Sequence, residues 1–253
     1  MKPIPWDCDF IQTDKGRIFR AYAGTKSPDL NTVIIFNPIC EESKSSFSII
    51  NDFSKKLWND GWNILRFDYL GTGDSDGDFS KTKAENWIND GLVVINEHID
   101  KNSKFILMGL RLGCNIAFSL SKILPDNLKP SAFVLWEPVL DIGDYIRHLK
   151  WTGRKDSDYL DVYSWILSLE CLSSIESSLI LDTKLVNKPA FLANISGRKT
   201  ISRKFEKIKS TLEKRSKLIH IRSRPFWELI GQNYCDELIL ETSNWLNNLY
   251  NNE

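Results

Sequence analysis

The chain has little of what usually declares a function. Thirty-three basic side chains balance thirty-three acidic ones, so no net field draws it to nucleic acid or to an anionic membrane. No stretch approaches the ~18 consecutive apolar residues of a membrane span, and Met1 to Trp6 lacks the apolar run of a secretory signal. The cysteines Cys8, Cys40, Cys114, Cys171 and Cys235 are odd in number, widely spaced and without a C-x-x-C pair. That argues against a disulfide framework and against a zinc site. These absences point to a cytoplasmic, reducing setting with no membrane insertion and no nucleic-acid partner, and leave the oligomeric state open. No G-x-x-x-x-G-K-[ST] loop occurs, so the glycines from Gly71 to Gly77 do not form a phosphate cradle. No cofactor and no metal are implied. Histidine is limited to His98, His148 and His220.

What is present is a chain of 253 residues, 42% hydrophobic, which is enough for one well-buried α/β domain. Strand-like runs at Asp9 to Gln12, Arg17 to Tyr22 and Thr32 to Phe36 are separated by turn residues at Asp14 to Gly16 and Ser27 to Asp29. Phe47, Ile50, Phe53 and Leu57 follow helical spacing between Ser45 and Asp60, and Gly61 ends that helix. A strand over Trp62 to Phe67, a helix carrying Trp87, Ile88, Leu92, Ile95 and Ile99, and strands over Lys104 to Met108 and Ser131 to Trp136 come next. From about 140 to 186 the pattern becomes irregular, which predicts an inserted helical cap. Alternation resumes with Pro189 to Ile195, a charged helix from Arg203 to Lys214, and Lys217 to Ile221. A last helix follows, on which Trp227, Ile230, Tyr234, Leu238, Trp245 and Leu249 share a face. Repeated strand, helix, strand predicts a doubly wound, mostly parallel sheet with an antiparallel N-terminal edge. Ligands of such sheets sit beyond the carboxyl ends of the strands, where Asn37 to Lys44, Asp68 to Gly77 and Arg111 must lie.

The most informative stretch is Gly109-Leu110-Arg111-Leu112-Gly113. It has the G-x-S-x-G spacing of a nucleophile elbow, in which two glycines let neighbouring backbone crowd past an exposed serine between a strand and a helix. Here arginine holds the serine position, and a guanidinium stays protonated and cannot attack a carbonyl.

With that stretch in place the whole chain resembles the α/β-hydrolase superfamily, and within it the hydrolase-like proteins encoded beside exosortase and exopolysaccharide systems. The likeness rests on Phe36 to Lys44 with its Pro38 and paired Glu41 and Glu42, on Phe67 to Phe79 with its G-x-G-D-S-x-G run, on the arginine elbow, and on Pro225-Phe226-Trp227. The resemblance implies a single α/β-hydrolase-fold domain over 1–253 with a cap at about 140–186. It also implies where a triad should lie. The acid position after strand seven holds Thr200, and the loop Arg222 to Trp227 after the last strand holds no histidine. With Arg111 in place of the nucleophile, all three members are missing.

Arg111 stands where helix-terminal N–H groups and the dipole already favour anions. A dry, unpaired guanidinium is costly, so something negative must accompany it. Two readings stay open: an internal pair with Glu41 or Glu42, which is the leading one, and a ligand carboxylate, phosphate or sulfate held by Arg111 with help from the N–H of Leu112. A ligand acid displacing a glutamate would combine them. Cys40 and Cys114 are the remaining nucleophile candidates, set against a buried and idle role. Asp68 and Asp74 are candidate bases, and Asp68 also a candidate ligand contact, set against helix capping or turn formation. The eight Lys and Arg between Lys199 and Lys217 read as a solvated helix face. The reading that results is a non-hydrolytic binding or accessory protein for a small acidic or acyl ligand, linked through the resemblance to surface-polysaccharide biosynthesis. Its rival is an unconventional esterase, thioesterase or acyltransferase.

Overall fold

The computed structural model describes residues 3–24, 31–100, 103–181, 188–229, 231 and 233–251. Two N-terminal strands, β1 (Asp7–Thr13) and β2 (Gly16–Ala23), form an antiparallel hairpin, followed by β3 (Thr32–Phe36), helix α1 (Cys40–Asn59) and β4 (Asn63–Phe67). Helix α2 (Ala84–His98), β5 (Phe105–Leu110), α3 (Leu112–Ile123) and β6 (Ala132–Trp136) continue the alternation. After β6 come α4 (Ile142–Thr152), the short strands β7 (Arg154–Lys155), β8 (Tyr159–Val162) and β9 (Trp165–Ser168), and α5 (Leu169–Ser178). The chain closes with β10 (Ala190–Ile195), α6 (Arg203–Lys209), β11 (Lys217–Ile221) and α7 (Asp236–Asn251).

Eight strands form the main sheet in the order β1-β2-β4-β3-β5-β6-β10-β11. Every pair from β4 to β11 is parallel, and β2 meets β4 antiparallel, which gives the expected antiparallel edge. The central strands are buried on both faces. In β5, Phe105 and Leu107 pack with α2 and α3, while Ile106, Met108 and Leu110 pack with α1 and α7. That two-sided burial is why these strands read as continuous apolar runs. Among the described residues no helix is long and apolar enough to cross a membrane.

Several boundaries differ from the sequence expectation. Helix α1 begins at Cys40, not Ser45, so Glu41 and Glu42 occupy its first turn and not a loop. Acidic side chains at a helix N-terminus complement its dipole. Phe47 is 60% exposed and lies off the buried stripe of Ile49, Ile50, Phe53 and Leu57, with the Arg66 guanidinium 5.2 Å from its ring. The last helix begins at Asp236, well after Trp227, which sits in a 3-10 turn at Phe226–Glu228. Pro225 and Gly231, the latter with φ 114°, keep this stretch out of a continuous helix, and Tyr234 is exposed. Ile230, the Ser27 to Asp29 turn and residues 182–187 of the expected cap lie outside the described residues. The insertion contains two helices and, besides them, the small antiparallel sheet β7-β8-β9.

In that small sheet β8 and β9 are joined by Tyr163 and Ser164, with φ of 54° and 72°. Two-residue hairpin turns that require positive φ at both positions favour Asn-Gly. Tyr163→Asn combined with Ser164→Gly is therefore expected to stabilise the fold by about 1 kcal/mol. A thermal melt should rise by roughly 2–4 °C, and a melt that falls would show that the turn is not strained.

Candidate functional site

Arg111 lies in the tight turn between β5 and α3, with φ 54° and ψ −125°. This is a conformation few L-residues adopt, and it persists because the surroundings fix it. The Arg111 N–H donates to the Trp136 carbonyl at 2.9 Å, and the Cys114 N–H donates to the Arg111 carbonyl at 3.0 Å. A Cβ on Gly109 would stand 2.4 Å from the Cys114 nitrogen, and one on Gly113 would stand 2.2 Å from the Phe36 carbonyl oxygen. Both glycines of the elbow are therefore required by close backbone approach.

The side chain of Arg111 turns inward and is 15% exposed. Its Nε donates to Glu42 Oε1 at 3.2 Å, and its Nη1 lies 3.5 Å from the Glu137 carbonyl oxygen. The guanidinium carbon stands 4.9 Å from the Trp227 ring centre and 5.7 Å from that of Tyr145, distances at which cation–π attraction operates. Burial opposes the charge on Arg111, but Glu42, Tyr145 and Glu137 together outweigh it and keep the guanidinium protonated. Burial also pushes the Glu42 carboxyl up from its ordinary range, and Arg111 only partly reverses that. Glu42 Oε2, the Tyr145 hydroxyl and Trp227 Nε1 are buried without hydrogen-bond partners among the described residues.

The other sequence candidates divide around this pair. Glu41, the residue before Glu42 on α1, is not paired with Arg111 and instead pairs with Lys44 at 3.4 Å. Leu112 opens α3 and is fully buried. Cys114 is fully buried with its Sγ toward the Trp136 carbonyl, and Cys40 is almost so. Burial raises both thiols well above their ordinary range, the opposite of an acidified nucleophile. Asp68 does not reach Arg111. It accepts the Asp74 N–H at 3.0 Å and lines a separate cavity of about 470 Å³ with Asp74 and Cys40. Lys204 of the basic stretch is engaged by Asp141 and Asp144 at 2.9 and 2.6 Å. Thr200 lies exposed in a bend before α6. His98 stacks on Tyr22, and His220 stays within β11 with its Nε2 3.1 Å from Ser196 Oγ.

His148 takes part in the site through α4. It lines two cavities that flank the Arg111–Glu42 pair, one of about 280 Å³ bordered by Arg111 and Glu137, the other of about 590 Å³ bordered by Glu42 and Trp227. Glu137, directly after β6, has φ 43° and accepts from Asn194 Nδ2 and the Ile195 N–H. Sequence reasoning passed over Tyr145, His148 and Glu137, which carry no local pattern. For Trp227, the Pro225-Phe226-Trp227 motif was the available signal.

Est1E from Butyrivibrio proteoclasticus, solved with ferulic acid bound, superposes with a TM-score of 0.72 at 16% identity over 97% of this chain and 100% of its own. This is the α/β-hydrolase fold. The Pyrococcus furiosus esterase Pf2001 matches with a TM-score of 0.65 at 16% identity over 97% of this chain and 91% of its own. A thioesterase domain from the curacin biosynthetic pathway matches at 0.58 and 14% identity over 96% of this chain and 98% of its own. No family model and no curated protein sequence matches the chain. At these identities the likeness establishes the α/β-hydrolase fold and leaves activity to be argued from the site.

Proposed function

We propose that this α/β-hydrolase-fold protein is a non-hydrolytic binding or accessory protein that holds a small ligand in the cavities beside the elbow. One observation carries this reading: the nucleophile position holds a guanidinium that is folded inward, paired with Glu42 and enclosed by Tyr145 and Trp227. A free carboxylate suits the site less well than the bare sequence suggested, because it would have to displace Glu42, and leaving a buried carboxylate unpaired is expensive. An acyl group needs no such exchange. A place in surface-polysaccharide biosynthesis is supported by the motif resemblance alone.

The second reading, an unconventional esterase, thioesterase or acyltransferase, draws on the esterase and thioesterase neighbours. It needs a nucleophile, and the raised, buried thiols of Cys40 and Cys114 do not supply one. Turnover of p-nitrophenyl esters is expected at buffer background, with no covalent labelling by a fluorophosphonate probe. Arg111→Ser is expected to leave both results unchanged, since a serine without a positioned base is a weak nucleophile. Stoichiometric labelling of the unmodified protein would establish the second reading instead.

A further inference from the structure

The larger cavity, about 590 Å³, lies between the first turn of α1, helix α4, the β8–β9 hairpin and the 3-10 turn at Phe226–Glu228. Its charged lining is one-sided. Glu41 and Glu42 face it from α1, and Glu228 faces it from the turn. Arg111 compensates Glu42 from behind, and Lys44, the partner of Glu41, borders the neighbouring cavity instead. Glu228 is exposed and forms no ion pair among the described residues. Among the described residues the only other titratable ring or base on the lining, apart from the Tyr145 and Tyr163 phenols and the Cys40 thiol, is His148.

The same wall is aromatic. Trp151 and Tyr163 border the cavity while 83% and 63% exposed, and Tyr145 and Trp227, each 4% exposed, close its inner end with their polar atoms unpartnered. Exposed rings gathered on one wall and rimmed by polar groups mark an interaction surface. Tyr163, moreover, is held there by a turn whose positive φ a tyrosine does not favour. Carboxylates together with aromatic faces are the chemistry that receives a weakly hydrated cation, by Coulomb attraction and by the ring quadrupole.

We infer that this cavity binds an organic cation, an alkylammonium or quaternary ammonium group on an apolar body. The inference rests on the binding-protein reading above and names the ligand class of that site. The cationic head lies between Glu228 and Trp151, near the mouth, and the apolar body extends past Tyr163 toward Trp227.

Three probes of similar shape and different charge test it by isothermal titration calorimetry: benzyltrimethylammonium, benzyl alcohol and benzoate. Benzyltrimethylammonium is expected to bind at least about tenfold more tightly than benzyl alcohol, and benzoate to bind weakest. Glu228→Gln and Trp151→Ala, both at exposed positions, are each expected to weaken the cation about fivefold while leaving the melting temperature unchanged. Benzoate binding as tightly as the cation, no cation binding up to roughly 20 mM, or cation binding indifferent to both substitutions would overturn the inference. Fluorophosphonate labelling reports separately on the non-hydrolytic reading, so a protein that neither labels nor binds the cation refutes only the ligand class.

Discussion

Replacing Arg111 with alanine is expected to lower the unfolding free energy by about 3–5 kcal/mol, because it strands a buried carboxylate. Glu42 is 14% exposed, its Oε2 has no partner, and Arg111 is the one cation it touches among the described residues. For a chain of this length such a loss corresponds to a fall in melting temperature of roughly 10 °C. Removing both charges should cost much less: Arg111→Met combined with Glu42→Leu fills the space with apolar volume and is expected to recover most of the stability. An open anion site predicts otherwise, with Arg111→Ala melting like the parent and about 10 mM sulfate raising the parent's melting temperature strongly by mass action. That pair of results would show that the Arg111–Glu42 contact is incidental.

The loss should also depend on pH, in a direction set by Glu42. Its carboxyl is raised in the folded protein, first by burial, and removing Arg111 takes away the contact that opposes the rise. Between the unfolded carboxyl value and the higher folded one, the native state binds more protons than the unfolded chain. Stability therefore falls as pH rises through that window. The deficit of Arg111→Ala relative to the parent is expected to shrink when the melt is repeated below the ordinary carboxylate range. A deficit independent of pH would mean that lost packing on Tyr145 and Trp227 is responsible, not charge.

The elbow was legible because its geometry is written in two glycines, each two residues from Arg111 at the strand–helix junction, whatever residue stands between them. The strands Thr32–Phe36 and Lys217–Ile221 were legible as bounded apolar runs. The start of α1 was not, since Pro38 and two adjacent glutamates read as a loop while the dipole of a helix first turn accepts them. The strands of the insertion are two to four residues long and too short to show a period. The enclosure of Arg111 was the least legible of all. Glu42, Tyr145 and Trp227 come from three distant segments, and what unites them is the fold, since they share no spacing in the chain. Even so, a buried arginine demands an acid, and the placement of Asn37 to Lys44 beyond the strand ends made Glu41 or Glu42 the leading internal partner, of which the helical turn presents Glu42.

Gly113→Ala is expected to cost about 3 kcal/mol or more, although it adds a single methyl group. The new Cβ would stand 2.2 Å from the Phe36 carbonyl oxygen and 2.8 Å from that of Asn37. Both are backbone atoms at the end of β3, so no side chain can rotate out of the way. Relief requires α3 to move off β3, and Arg111, at the N-terminus of α3, would move with it and away from Glu42 on α1. Gly197 provides the contrast within the same molecule. It has ordinary φ and nothing within 4 Å of where its Cβ would be, so Gly197→Ala should be neutral or slightly stabilising through the unfolded chain. Denaturant melts of the two variants measure the difference directly. Equal midpoints would mean that α3 does not approach β3 as closely as this turn requires, and the inward path of the Arg111 side chain, which depends on that turn, would be wrong with it.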